Sequence, residues 1–150
     1  MKKIKIIGSV IGGVLAVAIP LTITSCGYVL KDTSIEASSS TADVSLGGSN
    51  DFVFNCHYGQ YVTVTKITIS TVHDGKIDDQ DAYGVSLNFN GTLTTNVSTI
   101  NATISAENDP SIVGIHKGLV YQWCMIGTDV NGHSATSSGN GTLDVNVATS

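Results

Sequence analysis

Short stretches in which apolar and polar residues alternate recur along most of this chain and constrain its fold more than any other feature. Successive side chains of a β-strand point to opposite faces, so alternation predicts strands with one buried face. The clearest stretch spans residues 83–93, where one face carries Tyr83, Val85, Leu87, Phe89 and Leu93. Turns rich in Gly, Asn, Asp and Pro separate it from similar stretches at residues 51–58, 61–72, 100–104, 119–128 and 142–147. The pattern predicts an all-β fold, an antiparallel β-sandwich of about seven strands over residues 34–149.

The first 25 residues have the composition of a signal peptide or a membrane anchor. Lys2, Lys3 and Lys5 precede eighteen uncharged residues, from Ile6 to Ile23. As a helix this run would be about 27 Å long, slightly less than the roughly 30 Å hydrocarbon core of a bilayer. A basic start followed by an apolar run is typical of a segment that directs the rest of the chain across a membrane. We therefore expect a cell-surface domain attached to the membrane through an N-terminal hydrophobic helix.

The end of this segment resembles the lipobox of bacterial lipoproteins. In Ile23-Thr24-Ser25-Cys26 an aliphatic residue lies three positions before a cysteine that follows small residues. The resemblance implies that residues 1–25 are removed and that Cys26 carries the lipid. Residues 26–33 would then be a tether.

Two alternatives for the leader stay open. Cleavage between Gly8 and Ser9 would resemble the processing of a type IV pilin, whose retained helix assembles into a filament. An uncleaved signal anchor would retain the whole segment.

The composition bounds the number of domains and the class of partner. Residues 26–150 contain four lysines, no arginine and twelve carboxylates, a net charge near −8. Such a surface repels phosphate backbones, so we expect no nucleic-acid partner. The roughly 120 residues behind the leader are enough for one domain with its own core.

The last third of the chain resembles the closing hairpin of PKD-type and other immunoglobulin-like (Ig-like) surface domains. Tyr121, Asp129 and Gly132 have the spacing of a tyrosine-bearing strand followed by an Asp-x-x-Gly turn. The stretch from Ser34 to Cys56 is similar to the first strands of such domains. The resemblance implies an Ig-like β-sandwich, used for adhesion, surface display or binding.

Cys56 and Cys124 form a candidate disulfide, because an exported domain folds in an oxidising compartment. Such a bridge would stabilise the fold by roughly 4 kcal/mol. In Ig domains, however, the corner tyrosine lies two residues before the second cysteine, whereas Tyr121 lies three before Cys124. That spacing places Tyr121 and Cys124 on opposite faces of a strand unless a bulge intervenes. The alternative is two separate buried thiols.

Tyr121 and Trp123 share one face of their strand. They belong either to a packed face or to an exposed aromatic patch that binds a ligand. The second interpretation would suit a secreted carbohydrate-binding module.

The segment from His73 to Asp81 resembles the second half of an EF-hand or dockerin calcium loop. Asp74, Asp78 and Asp81 would supply carboxylates to an ion that needs about six to eight oxygens. Ser70 and Val72 occupy positions where such loops have acidic or amide ligands. We therefore expect an ordinary acidic turn and no cofactor, and the alternative is a calcium site.

Four N-glycosylation sequons begin at Asn90, Asn96, Asn101 and Asn140. In an organism that glycosylates its surface proteins they would suggest a sugar-coated domain.

No catalytic motif is present in the sequence. The four histidines do not have the spacing of zinc ligands; they are His57, His73, His116 and His133. We find no nucleophile elbow, no phosphate-binding glycine loop and no obviously partnered pair of catalytic carboxylates. The sequence predicts a membrane-anchored, extracellular, non-enzymatic binding domain, with a pilin-like subunit and a carbohydrate-binding module as alternatives.

Overall fold

Eight strands form one curled sheet in the computed structural model, which describes residues 27–72 and 84–149. Within these residues the only helix is a three-residue 3-10 helix, Pro110–Ile112, and no helix could span a membrane. The all-β prediction is confirmed, whereas the predicted N-terminal helix lies outside the described residues. The strands are β1 (Ser34–Ala37), β2 (Thr41–Ser45), β3 (Ser49–His57), β4 (Thr63–Thr71), β5 (Val85–Thr92), β6 (Thr99–Ala106), β7 (Gly114–Thr128) and β8 (Ser134–Ala148).

The strand order explains how the sheet becomes two packed layers. Hydrogen bonds join the strands in the order β1-β3-β6-β5-β4-β7-β8-β2. The groups β1-β3-β6-β5 and β4-β7-β8 reproduce the A-B-E-D and C-F-G order of an immunoglobulin sandwich. The start of β5 pairs with β6 and its end pairs with β4, so the sheet curls at this strand.

Two features differ from the predicted antiparallel sandwich of about seven strands. The sheet has eight strands, and β2 runs parallel to β8, with Val44 opposite Val147. The pairing is parallel because the chain leaves β1 and crosses directly to the other edge of the sheet. The N–H of Ser38 still donates to Val53 at one edge, and Ser40 accepts from the N–H of Asp144 at the other. The two edges therefore lie side by side.

The core lies between the two layers, and aromatic rings join them. The ring of Phe54, on β3, is fully buried and contacts Tyr121, on β7, edge to face at 5.2 Å between centroids. Phe52 also contacts Phe54 edge to face, at the same distance between centroids. Edge-to-face pairs of this kind contribute beyond their buried area, by about 0.5–1.5 kcal/mol each.

Residues 27–33, which the sequence suggested as a tether, pack against the domain. Leu30 is 1% exposed and belongs to the core. Its N–H donates to the carbonyl of Thr136, and the N–H of Thr136 donates to Tyr28, so this segment runs parallel to β8. Thr33 is also buried, and its hydroxyl oxygen accepts from the N–H of Gly59. Residues 28–33 therefore belong to the folded domain together with the strands that begin at residue 34.

Candidate functional site

The outer surface of four adjacent strands, β5, β4, β7 and β8, is the candidate site, and we call it the polar face. Strand register places its twelve side chains in three rows. From β5 to β8 the rows are Asn88, Ser70, Gln122 and Asn140; Asn90, Thr68, Cys124 and Ser138; and Thr92, Lys66, Ile126 and Thr136.

Almost all of the polar face is uncharged and able to form hydrogen bonds. Lys66 is its only charged side chain, and none of the three rows contains a carboxylate. The side-chain amides of Asn88, Gln122 and Asn140 make no hydrogen bond to another residue in the described part of the chain. Each amide can both donate and accept. On a strongly acidic protein, this surface therefore lets a partner approach without charge repulsion.

Alternation along β7 decides which side chains reach this face. Leu119, Tyr121, Trp123 and Met125 point inward and are buried, so the residues between them point outward. Tyr121 and Trp123 are only 4% and 7% exposed, so of the two interpretations the packed face is found and the exposed aromatic patch is wrong. Because both rings are buried, they do not support the interpretation of the domain as a carbohydrate-binding module.

Glycines on β8 make room for the two rings. Gly141 lies opposite Tyr121 and Gly139 lies opposite Trp123. A Cβ atom at Gly139 would come within 2.8 Å of the Trp123 ring, and one at Gly141 would collide with the Tyr121 ring. The aromatic rings thus fill space that the glycines leave open.

The predicted Cys56–Cys124 disulfide is not formed. Both cysteines are free: Cys56 is buried on the inner face of β3, and Cys124 is half-buried in the middle row of the polar face. The cause is the three-residue offset from Tyr121 to Cys124, which no bulge corrects because the register of β7 is regular there. Burial raises the pKa of both thiols, although Lys66 acts in the opposite direction on Cys124.

We predict that native alkylation distinguishes the two thiols. Cys124 should react with iodoacetamide in the folded protein, whereas Cys56 should react only after unfolding. Because the thiolate is the nucleophile and the pKa is raised, the Cys124 rate should keep increasing with pH above neutrality. Mass spectrometry of digested, unreduced protein measures both sites. Recovery of the two cysteine peptides as one disulfide-linked species would contradict the structure.

The four sequons occupy different environments. Asn90 and Asn140 are exposed on the polar face, so a glycan at either site would cover it. Asn101 is exposed on the outer face of β6. The Asn96 amide donates to the carbonyl of Val62 and accepts from the N–H of Val64. Glycosylation at these sites stays a prediction.

Two predicted sites lie outside the described residues. These are the lipidation site Cys26 and the calcium ligands Asp74, Asp78 and Asp81. The segment before the acidic residues is a strand, since Ser70 pairs with Asn88 and Gln122 within β4. It is therefore not the first half of an EF-hand loop. Within the described ranges, no group of three or more His, Cys, Asp or Glu residues is arranged to hold a metal ion.

The ionisable contacts of the domain have structural roles. Glu36 and His57 lie 3.6 Å apart, but both side chains are more than half exposed. The Asp144 carboxylate accepts from the N–H of Gly118 at a β7 bulge. A shallow pocket between the start of β5 and the end of β6 contains one charged side chain, Glu107. These exposed groups lack the desolvation that general acid–base chemistry uses to shift pKa values.

Comparisons with solved structures find Ig-like neighbours with low similarity. One is murine CRIg, with 6% identity and a TM-score of 0.44, over 77% of this chain and 97% of that chain. Another is domain 1 of VCBP3 from Branchiostoma floridae, with 9% identity and a TM-score of 0.37, over 77% and 95%. No family model and no curated protein matches the chain. The Ig-like description of the fold therefore rests on the strand order.

Proposed function

We propose that this protein is a membrane-anchored, extracellular, non-enzymatic recognition domain that binds a protein partner through the polar face. The observation that carries the proposal is the grid of amides and hydroxyls on four neighbouring strands, whose Asn and Gln side chains have no hydrogen-bond partner in the described part of the chain. A regular, carboxylate-free surface of this kind offers hydrogen bonds to an approaching partner.

The absence of exposed aromatic rings from the polar face favours a protein partner over a glycan. The rows of the polar face contain no Tyr, Trp or Phe, and the two aromatic residues that alternate with it along β7, Tyr121 and Trp123, are buried. Sugar-binding surfaces commonly present an aromatic ring against which a pyranose packs, whereas side-chain amides and hydroxyls can donate to and accept from the polar groups of another protein surface.

The size of the polar face indicates a weak single contact. Four strands about 4.8 Å apart, with three rows of outward side chains, span on the order of 400 Å². One partner contributes roughly 800 Å² to a standard protein interface. Binding through this face alone would thus be transient. Many copies held on one membrane would raise the overall avidity without any new contact.

The test uses beads that carry the full chain. It measures how many of these beads are retained by cells of the organism that produces the protein. Gln122→Glu introduces a carboxylate at the centre of the polar face without changing side-chain shape, and we expect bead retention to fall at least tenfold. Asn101→Asp makes the same chemical change on the outer face of β6 and should have no effect. Both variants should melt like the original protein.

Treatment of the target cells identifies the class of partner. We expect protease treatment to abolish retention and periodate oxidation of glycans to leave it unchanged. Loss of retention after periodate alone would identify a glycan partner and contradict the proposal. Equal retention of the Gln122→Glu and Asn101→Asp proteins would exclude the polar face as the binding surface.

A further inference from the structure

Four exposed apolar side chains lie at one end of the domain. Tyr28 is 46% exposed, Val29 and Val130 are 61% exposed, and Tyr61 is 76% exposed. We call the end that carries them the proximal end. It consists of the first described residues, 27–33, and of the loops 58–62, 93–98 and 129–133.

Strand register shows that these loops are neighbours. Thr63 pairs with Thr128, and Thr128 pairs with Ser134, so the loops before β4 and between β7 and β8 leave the sheet side by side. Tyr61 lies in the first of these loops and Val130 lies in the second.

The N-terminal segment joins the same end. The ring of Tyr28 stacks on the ring of His133, with 4.1 Å between centroids and 8° between planes. His133 closes the loop that contains Val130, because the N–H groups of Asn131 and His133 both donate to the Asp129 carboxylate. Tyr28, Val29 and Val130 therefore belong to one local surface.

Tyr61 is held in an unusual conformation. Its φ is +64°, in the left-handed region that residues with a β-carbon rarely adopt. The strained backbone holds a tyrosine ring in the open instead of packing it into the core, and strain of this kind clusters at functional positions.

The sequence before the proximal end identifies what can cover it. Four residues separate Tyr28 from Ile23, the end of the apolar run that begins at Ile6. A fully extended chain advances about 3.5 Å per residue, so the five steps from Ile23 to Tyr28 span at most about 17 Å. A lipid on Cys26 would lie within about 7 Å of Tyr28. Since Leu30 is fixed in the core, this short connection keeps the proximal end close to the bilayer.

The charge of the proximal end suits a lipid surface better than the rest of the domain does. Lys31 and Asp32 balance each other, and the Asp129 side chain is only 13% exposed and accepts backbone hydrogen bonds. Tyrosine and aliphatic side chains are typical of the boundary between lipid headgroups and acyl chains.

Building on the proposed membrane anchor, we propose that the proximal end lies against the bilayer, with Tyr28, Val29, Tyr61 and Val130 at the headgroup boundary. The strands then stand upright on the membrane, and the polar face is directed sideways, toward molecules on the same surface. The opposite end of β7, with Ile115 66% exposed, is directed away from the lipid. The fifteen residues of β7 separate the two ends by about 45 Å.

The test is nuclear magnetic resonance of the full chain in phosphatidylcholine nanodiscs that contain a lipid with a gadolinium-chelate headgroup. We expect amide signals of residues 28–30, 59–62 and 129–133 to lose most of their intensity, whereas those of residues 113–116 keep it. The same lipid with lanthanum is the diamagnetic control. Equal intensity loss at both ends, or loss confined to the Ile115 end, would overturn the proposal.

Co-flotation with the nanodisc lipid separates this inference from the proposed anchor. A chain that floats with lipid but shows equal broadening at both ends has an anchor and no oriented contact. A chain that does not float lacks the anchor, and both proposals are then wrong. If the proximal signals shift as more copies occupy each disc, without gadolinium broadening, a second copy covers this end, which also contradicts the inference.

Discussion

Replacing Leu30 with alanine is expected to lower the free energy of unfolding by about 2–5 kcal/mol. Leu30 is 1% exposed, so truncation removes buried methyl groups and leaves a cavity between the N-terminal segment and β8. For a domain of this size the melting temperature should fall on the order of 10 °C. Thermal and urea unfolding of the purified chain measure the change.

Val29→Ala is the matched control for this prediction. Val29 is the preceding residue and is 61% exposed, so its truncation should change stability by less than about 0.5 kcal/mol. If Leu30→Ala has as little effect on stability as Val29→Ala, residues 27–33 are a tether. The proposal that the proximal end lies against the bilayer is then wrong as well.

Phe54→Ala is expected to destabilise the domain by about 3–5 kcal/mol, a fall of roughly 10–20 °C in melting temperature. Phe54 is fully buried, and its ring contacts both Phe52 and Tyr121. The Tyr121 contact joins β3 to β7, the two strands that a disulfide joins in antibody domains. With both cysteines free, the aromatic contact is a cross-layer link between these strands.

The control for Phe54→Ala is Val53→Ala, on the opposite face of the same strand. Val53 is only half-buried, so Val53→Ala should lower the free energy of unfolding by less than about 1 kcal/mol. If Phe54→Ala lowers stability no more than Val53→Ala does, the two layers are held together elsewhere. Phe54→Leu keeps most of the buried volume, so its loss of stability should lie between those of Val53→Ala and Phe54→Ala.

Alternation was sufficient to predict most of the strands but not the whole sheet. The stretches at residues 51–58 and 61–72 correspond closely to β3 and β4. The first half of β8, from Ser134 to Gly141, was missed because it contains Ser, Thr, Gly and Asn without alternating apolar residues. It is a strand because it pairs with β7 and because its glycines accept the rings of Tyr121 and Trp123.

The same reasoning explains why the sequence left both a packed face and an exposed patch open for Tyr121 and Trp123. Periodicity shows that Tyr121 and Trp123 share one face of β7, but it does not show which face of β7 is buried. Burial of this face depends on Gly139 and Gly141, whose positions opposite the two rings follow only from the register. The outward face, with Gln122 and Cys124, is the one that remains accessible. Leu30 was missed for a related reason, since a single buried residue has no period.

The most direct test of the polar face uses Cys124 as a natural probe, because it lies in the middle row of that face. The measurement is the rate at which a membrane-impermeant maleimide modifies Cys124 on cells that display the chain, relative to the purified chain in phosphatidylcholine vesicles. An Ile115→Cys variant supplies a reference thiol at the far end, where the side chain is exposed. The account predicts that Cys124 reacts at least tenfold more slowly on cells, whereas the rate at position 115 is unchanged. Equal Cys124 rates on cells and in vesicles would contradict a partner bound to the polar face.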